Sequence, residues 1–256
     1  MPPETKGRLV KAIRDFVTNP PIPRWQTTRS WLRILGHANW ALNVFPLLKP
    51  ALNSSYDKVV GRKFMNAGIY INKQTKMDLL WFADQVEQLE GTCFFGAEEW
   101  AADQADLQVW GDASAAGLAF FLPSHNIAYI ADPVVNNERH FNIFFNEAIT
   151  ILAALEWAAS LQPPPVRLAI HTDSTTSFGI FNSLHALNTY NPIILASIKI
   201  RLQAKIDLRV FHIQGKKNAI ADALSCHAIA LAHSLMPNLS IQNFSPSLDL
   251  MGASRK

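Results

Sequence analysis

A change of period near residue 106 is what most limits the folds open to this chain. Before it, apolar residues recur at helical spacing. Leu9, Val10, Ile13, Phe16 and Val17 share one face of a segment over 5–17, and the proline-rich run from Asn19 to Pro23 stops it. A second helix starts after Thr27-Thr28 and passes Trp31, Leu32, Leu35 and Trp40 before Pro46; a third, with Met77, Leu80, Trp81, Ala83, Asp84 and Leu89, lies near 74–90. Beyond 106 the apolar runs are short. Leu107–Trp110, Gly117–Leu122 and Asn126–Ile130 read as strands of an antiparallel meander, with Pro123-Ser124-His125 as a turn. The segment 141–161, FNIFFNEAITILAALEWAASL, is apolar almost all round, as a helix packed inside a core must be, and three prolines (163–165) end it. A strand over Arg167–Thr172, helices near 174–186 and 192–206, a strand over Leu208–Ile213 and a helix from Ala219 to Leu235 complete the order β-β-β-α-β-α-α-β-α. The class is α/β, preceded by a segment, 1–95, that reads as all-helical. The last stretch, 233–256, is rich in Ser, Asn and Pro and is expected to be loose.

Charge is divided along the same line. Residues 1–76 hold 13 Lys and Arg against three acids, and residues 77–256 hold 10 against 17. The first part suits a polyanion, although a solvated basic face has the same composition. Charged residues make up 17% of the chain, below the roughly 25% of an average globular protein, which leaves surface for a partner. Cys93 and Cys226 cannot build a disulfide framework and sit in no zinc spacing. The N-terminus carries charges where a signal peptide needs its apolar run, and no uncharged apolar stretch is long enough to span a bilayer. An intracellular protein, in cytoplasm or nucleus and away from membranes, is expected.

Four acids stand where a scattered surface would not put them. Asp112 follows the first apolar strand, Glu147 lies in the apolar helix, Asp173 ends the strand LAIHT, and Asp222 opens the last helix. At 100° per residue Glu147 shares its face with Ile151, Ala154 and Ala158, whereas Glu156 points the opposite way. A lone carboxylate on that stripe costs several kcal/mol unless a cation or donors compensate it. Taken singly, each acid has an ordinary alternative: a helix cap for Asp173 or Asp222, a turn residue for Asp112, a rim position for Glu147. Together they favour a shared site, and hard oxygen ligands select Mg²⁺ or Mn²⁺ over zinc. Two such ions about 4 Å apart hydrolyse a phosphodiester by in-line displacement.

These residues also carry a resemblance. Asp112-Ala113-Ser114 with Gly117, the helix bearing Glu147, Thr172-Asp173-Ser174, and the run His212-Ile213-Gln214-Gly215-Lys216-Lys217-Asn218-Ala219-Ile220-Ala221-Asp222-Ala223-Leu224-Ser225 resemble the ribonuclease H domain of retroelement reverse transcriptases. The last run is the most specific, similar to the H-x-x-G-x-x-N-x-x-A-D-x-L-S ending found in gypsy-like and DIRS-like elements. The resemblance covers about 106–230. More weakly, Trp25–Thr28 through Leu35-Gly36-His37-Ala38-Asn39-Trp40 to Pro46 and Pro50 is similar to the thumb or connection segment that precedes that domain. The chain has no Asp-Asp dipeptide, so the polymerase's own catalytic pair is absent.

The resemblance implies a ribonuclease H-like mixed sheet of five strands with flanking helices over 106–232. It implies Asp112, Glu147, Asp173 and Asp222 as ligands of two Mg²⁺ or Mn²⁺ ions, with Asp112 shared between them, and cleavage of the RNA strand of RNA–DNA hybrids, where contacts to 2′-hydroxyls distinguish RNA. Ser114, Asn142 and Asn146 are the candidates for those contacts; Asn142 as a helix cap and Asn146 as a solvent-facing residue are the alternatives. Arg24, Arg29, Arg33, Arg62 and Lys63 are the candidate phosphate contacts in the basic third. One departure matters: no His stands between Gly215 and Asn218, where many cellular members carry one, and His212 reads as structural. The partners implied are the hybrid and a polymerase subunit or the rest of a retroelement polyprotein. The competing reading is a nucleic-acid-binding or polymerase-accessory module that keeps the fold without the activity. His171, Trp110 and Trp157 are read as core residues.

Overall fold

The computed structural model describes residues 1–20, 22–89, 99–134 and 142–247. Cys93, the start of the long helix at Phe141 and the end of the tail over 248–256 lie outside them. Packing divides the chain into two units, Met1–Phe94 with Leu184–Asn188, and Phe95–Ser183 with Thr189–Lys256.

In the first unit, α1 (Pro3–Thr18) buries Leu9, Val10, Ile13, Phe16 and Val17, the stripe read from the sequence. The short strand β1 (Trp25–Thr27) leads into α2 (Thr28–Ala41), whose first turn is capped by Thr27 accepting from Ser30 N. Next come α3 (Asn53–Val59), β2 (Gly68–Tyr70) and α4 (Lys73–Gln88), capped by Asn72. Phe16 meets Trp31 edge to face at 4.8 Å, and Arg14 ties α1 to α4 through Asp84 and Glu87. The expectation of an all-helical segment is corrected here: β1 and β2 pair antiparallel, Gln26 opposite Ile69. Gln26 is buried, and its side-chain amide donates to Phe16 O, so β1 is anchored by tertiary contact and not by apolar alternation.

The second unit is α/β. Strands β3 (Leu107–Ala113), β4 (Leu118–Leu122) and β5 (Ile127–Ala131) form the meander. Helix α5 (Ile143–Ser160), β6 (Arg167–Thr172), α6 (Thr175–Ser183), α7 (Asn191–Ala204), β7 (Asp207–His212), α8 (Ala219–Ser225), α9 (Ile229–Leu235) and β8 (Ser240–Asn243) follow. The six-stranded mixed sheet runs β7-β6-β3-β4-β5-β8, with β3, β4 and β5 antiparallel to their neighbours in the meander and β6, β7 and β8 added in parallel. Among the described residues the chain has nine α-helices.

Helix α5 is also the one described helix long and apolar enough to cross a membrane, but Ala148, Ile149, Ile151, Leu152 and Leu155 are buried where it packs on β3, β4 and β6. Gly111 permits that approach: a Cβ there would stand 3.2 Å from the Thr150 methyl. On the other face, α8 and α9 cover Ala119, Phe121 and Ala128 and reach Trp110. Successive strand residues face opposite ways, so Asp112 shares the α8 face with Trp110.

Three expectations change. Asp112 lies inside β3 and does not follow it. The final helix is broken: α8 stops at Ser225 and α9 starts at Ile229, with His227 between them at φ 56°. The tail is not wholly loose, because β8 pairs parallel with β5 and makes a sixth strand.

Candidate functional site

The parallel pairing of β3 with β6 sets Trp110 beside His171; Asp112 and Asp173 each stand two residues further on, at the same edge of the sheet. Glu147 arrives from the first turns of α5 and Asp222 from the first turn of α8. Asp112 is 8% exposed, Glu147 and Asp173 are half-buried, and Asp222 is exposed. Burial pushes the Asp112 carboxyl up to about 7; the Ser225 bond opposes this, and the charges of Asp173, Asp222 and Glu147 push it further in the same direction. The charges of the other three sequence-predicted acids therefore all reach Asp112. Burial also raises Glu147, against a bond from Ser174 and with the help of Asp173.

Three polar residues that the search for acids passed over hold these carboxylates. The Ser225 hydroxyl donates to Asp112 Oδ2 at 2.5 Å, and the Ser174 hydroxyl donates to Glu147 Oε2. Asn218, 1% exposed, directs its amide nitrogen at Gly111 O (3.2 Å) and Asp173 Oδ1 (3.5 Å). Both partners only accept, which fixes the amide's orientation and leaves Asn218 Oδ1 buried with no hydrogen-bond partner among the described residues. The signal was adjacency: Ser174 follows Asp173, Asn218 precedes Asp222 by one helical turn, and Ser225 follows it by three residues.

The candidates for 2′-hydroxyl contact are already engaged. Ser114 donates to Ser225 O at 2.7 Å and accepts from Ala116 N and Gly117 N. Asn142 caps α5 by accepting from Phe145 N, the alternative weighed for it. Asn146 does not face solvent: it is fully buried, accepts from Val134 N, and donates to Val134 O and Asn142 O. His171 is 7% exposed, stacked 4.3 Å from Trp110 and bonded to Gln108, as a core histidine. His212 ends β7 and is exposed. On the side of α8 away from the Gly215–Asn218 turn, His227 packs over Gly117.

In the first unit Arg24 donates to the Tyr70 hydroxyl at 3.0 Å, Arg62 Nε reaches Lys58 O, and Arg29, Arg33 and Lys63 are exposed. Helical spacing on α1 (Thr5, Arg8, Leu9, Ala12) and α2 (Arg33, His37, Trp40) lines a cavity of about 440 Å³. Two guanidinium groups, Arg8 and Arg33 of the basic third, an imidazole and a half-exposed indole border it.

No known family model matches the chain, and no curated protein matches it. The carboxylates suit a hard divalent cation in donor type. Among the described residues no three His, Cys, Asp or Glu side chains stand together as a ready metal-binding group.

Proposed function

We propose that residues 106–232 form a ribonuclease H-like, metal-dependent endonuclease that cuts the RNA strand of RNA–DNA hybrids, from a retroelement reverse transcriptase or a domesticated copy. The observation that carries this reading is that the charges of three carboxylates, Glu147 from α5, Asp173 from the end of β6 and Asp222 from α8, all reach the buried Asp112 of β3. Strand β8 then stands as an addition to the five-stranded arrangement of that domain.

Asp112, Glu147, Asp173 and Asp222 would hold the ions, Mg²⁺ or Mn²⁺. When bound, such ions supply an activated water and neutralise charge on the leaving oxygen. The chain's own part is positioning: Ser225 orients Asp112, Ser174 orients Glu147, and Asn218 flanks Asp173. The acidic second unit repels a phosphate backbone away from its ions, so hybrid affinity falls to the basic first unit, through Arg24, Arg29, Arg33, Arg62, Lys63 and the cavity bordered by Arg8, Arg33, His37 and Trp40.

The test is cleavage of a labelled hybrid with Mg²⁺, Mn²⁺ or EDTA, comparing Asp112→Asn with Glu156→Gln on the opposite helix face. Several kcal/mol of lost charge stabilisation corresponds to roughly a thousandfold slower cleavage for Asp112→Asn. Glu156→Gln is expected to match the wild type. Equal losses in both would overturn the assignment. A second reading, a binding or polymerase-accessory module without catalysis, is favoured by the lack of a ready-made metal group among the described residues. Metal-independent hybrid binding with no cleavage in any of the three conditions would establish it.

A further inference from the structure

Ser225 has one hydroxyl proton and two acceptors within reach. Asp222 O lies at 3.0 Å, the ordinary back-bond of a helical serine, and Asp112 Oδ2 lies at 2.5 Å. A carboxylate is the stronger acceptor and the shorter distance is to it, so the proton goes to Asp112. The serine is fully buried, and its backbone is held as well: Ser225 O accepts from Ser114 Oγ, which is itself fixed by the amides of Ala116 and Gly117. The turn after β3, the end of α8 and the Asp112 side chain thus form a closed loop of hydrogen bonds. Ser225 also stands three residues after Asp222 on the same short helix, so whatever fixes Ser225 fixes the helix that carries Asp222.

We propose that Ser225 is a positioning residue that holds Asp112 in register with Asp222 and occupies Asp112 Oδ2, so that Asp112 offers a cation its other oxygen, Oδ1, from a prearranged direction. This rests on the reading of the four acids as a cation site. Without the serine, the Asp112 carboxylate is free to turn and the end of α8 loses its link to β3. The cation must then organise its own ligands at the expense of affinity.

The experiment measures binding of Mn²⁺ alone, followed by the electron paramagnetic resonance signal of the free ion and by the rise in Tm with added Mn²⁺, for the full-length wild type, Ser225→Ala and Ser197→Ala. Ser197 is the matched control: it is 1% exposed and makes the same kind of back-bond, to Ile194 O on α7, and hydrogen-bonds to no acid among the described residues. Loss of a group that orients a metal ligand weakens binding roughly ten- to a hundredfold. That loss is expected in Ser225→Ala alone, whereas both variants lower the Tm measured without metal. Under saturating Mn²⁺ the hybrid-cleavage rate of Ser225→Ala should recover towards wild type, separating positioning from direct chemistry. Equal Mn²⁺ affinity in wild type and Ser225→Ala overturns the role of Ser225 and leaves the metal site standing. If the wild type binds no Mn²⁺, the site reading itself fails, and this proposal with it.

Discussion

The Ser174 hydroxyl donates to Glu147 Oε2 and accepts from Ser177 N, so one side chain joins α5 to the first turn of α6. Asp173, one residue earlier, is therefore held at a fixed height beside Glu147. Ser174→Ala removes a donor from a half-buried carboxylate, and hydrogen bonds to charged groups contribute about 1.5–3 kcal/mol. Urea denaturation at pH 8 should show a loss of that order. At pH 4, where Glu147 is protonated, the loss should shrink, because burial has raised this carboxyl and the bond serves its charged form. Ser160→Ala, whose exposed hydroxyl donates to Trp157 O, should change little. A loss independent of pH would show that the bond serves α6 alone.

Asp112 contributes a distinct slope to the pH dependence of stability. Its folded value of about 7 exceeds the roughly 3.9 of an unfolded chain, so between those values the folded state holds the extra proton. Stability is then fullest below about pH 4 with respect to this group and declines as pH rises towards 7, by up to about 1.4 kcal/mol per unit. The groups that face it are Glu147, Asp173 and Asp222, whose charges deepen the decline, and Ser225, which opposes it. His171, lowered by burial, slopes the other way as it loses its proton at lower pH. The informative quantity is therefore the difference from Asp112→Asn. In EDTA that variant should be more stable than wild type at pH 8 and nearly equal to it at pH 4; parallel curves would show that Asp112 is not the titrating group.

How much of this was legible in the sequence depends on where each signal resides. The four acids were visible because strand ends and an apolar helix give a carboxylate no ordinary reason to be there. Strand β8 was not, since Ser240, Gln242 and Asn243 are exposed on a sheet edge and carry no apolar alternation. The pair β1–β2 spans three residues on each side and joins chain segments about forty residues apart, beyond any local pattern. The break between α8 and α9 has neither Gly nor Pro; His227 takes the left-handed conformation instead. Asn146 was misplaced because its partner is the backbone of Val134, a contact made only by tertiary folding.

Gly117 belongs to the motif that carried the resemblance, and its role is spatial. A Cβ there would stand 2.9 Å from Ala131 O, 3.1 Å from Ser225 O and 2.5 Å from His227 Nε2. The imidazole can swing away, but the two carbonyls belong to β5 and α8 and cannot. Gly117→Ala should destabilise by about 1–3 kcal/mol, the usual cost of overpacking, and disturb the Ser114–Ser225 bond beside Asp112. Gly36 is the contrast: it lies on the exposed face of α2 with nothing within 4 Å, so Gly36→Ala should stabilise by about 0.5–1 kcal/mol. Thermal melts of the two variants should move in opposite directions.

The cavity between α1 and α2 makes a separable prediction about the hybrid. Phosphate contacts release counterions, and each contributes about 0.9 to the slope of log affinity against log salt. Stacking on an aromatic ring contributes roughly 1–3 kcal/mol per base with little dependence on salt. Arg8 and Arg33 border the cavity, and Trp40 is 51% exposed beside them. The double variant Arg8→Ala, Arg33→Ala should therefore lower the slope by about 1.8, whereas Trp40→Ala should weaken binding at every salt concentration and leave the slope unchanged. Arg14 is the control, because its guanidinium is held by Asp84 and Glu87 within the unit; Arg14→Ala should destabilise the helices without changing the slope. These measurements need no cleavage, so they remain informative for a catalytically silent protein. If the Arg8, Arg33 variant keeps the wild-type slope, the cavity does not face the phosphate backbone, and the charge of the first unit serves solvation or a protein partner.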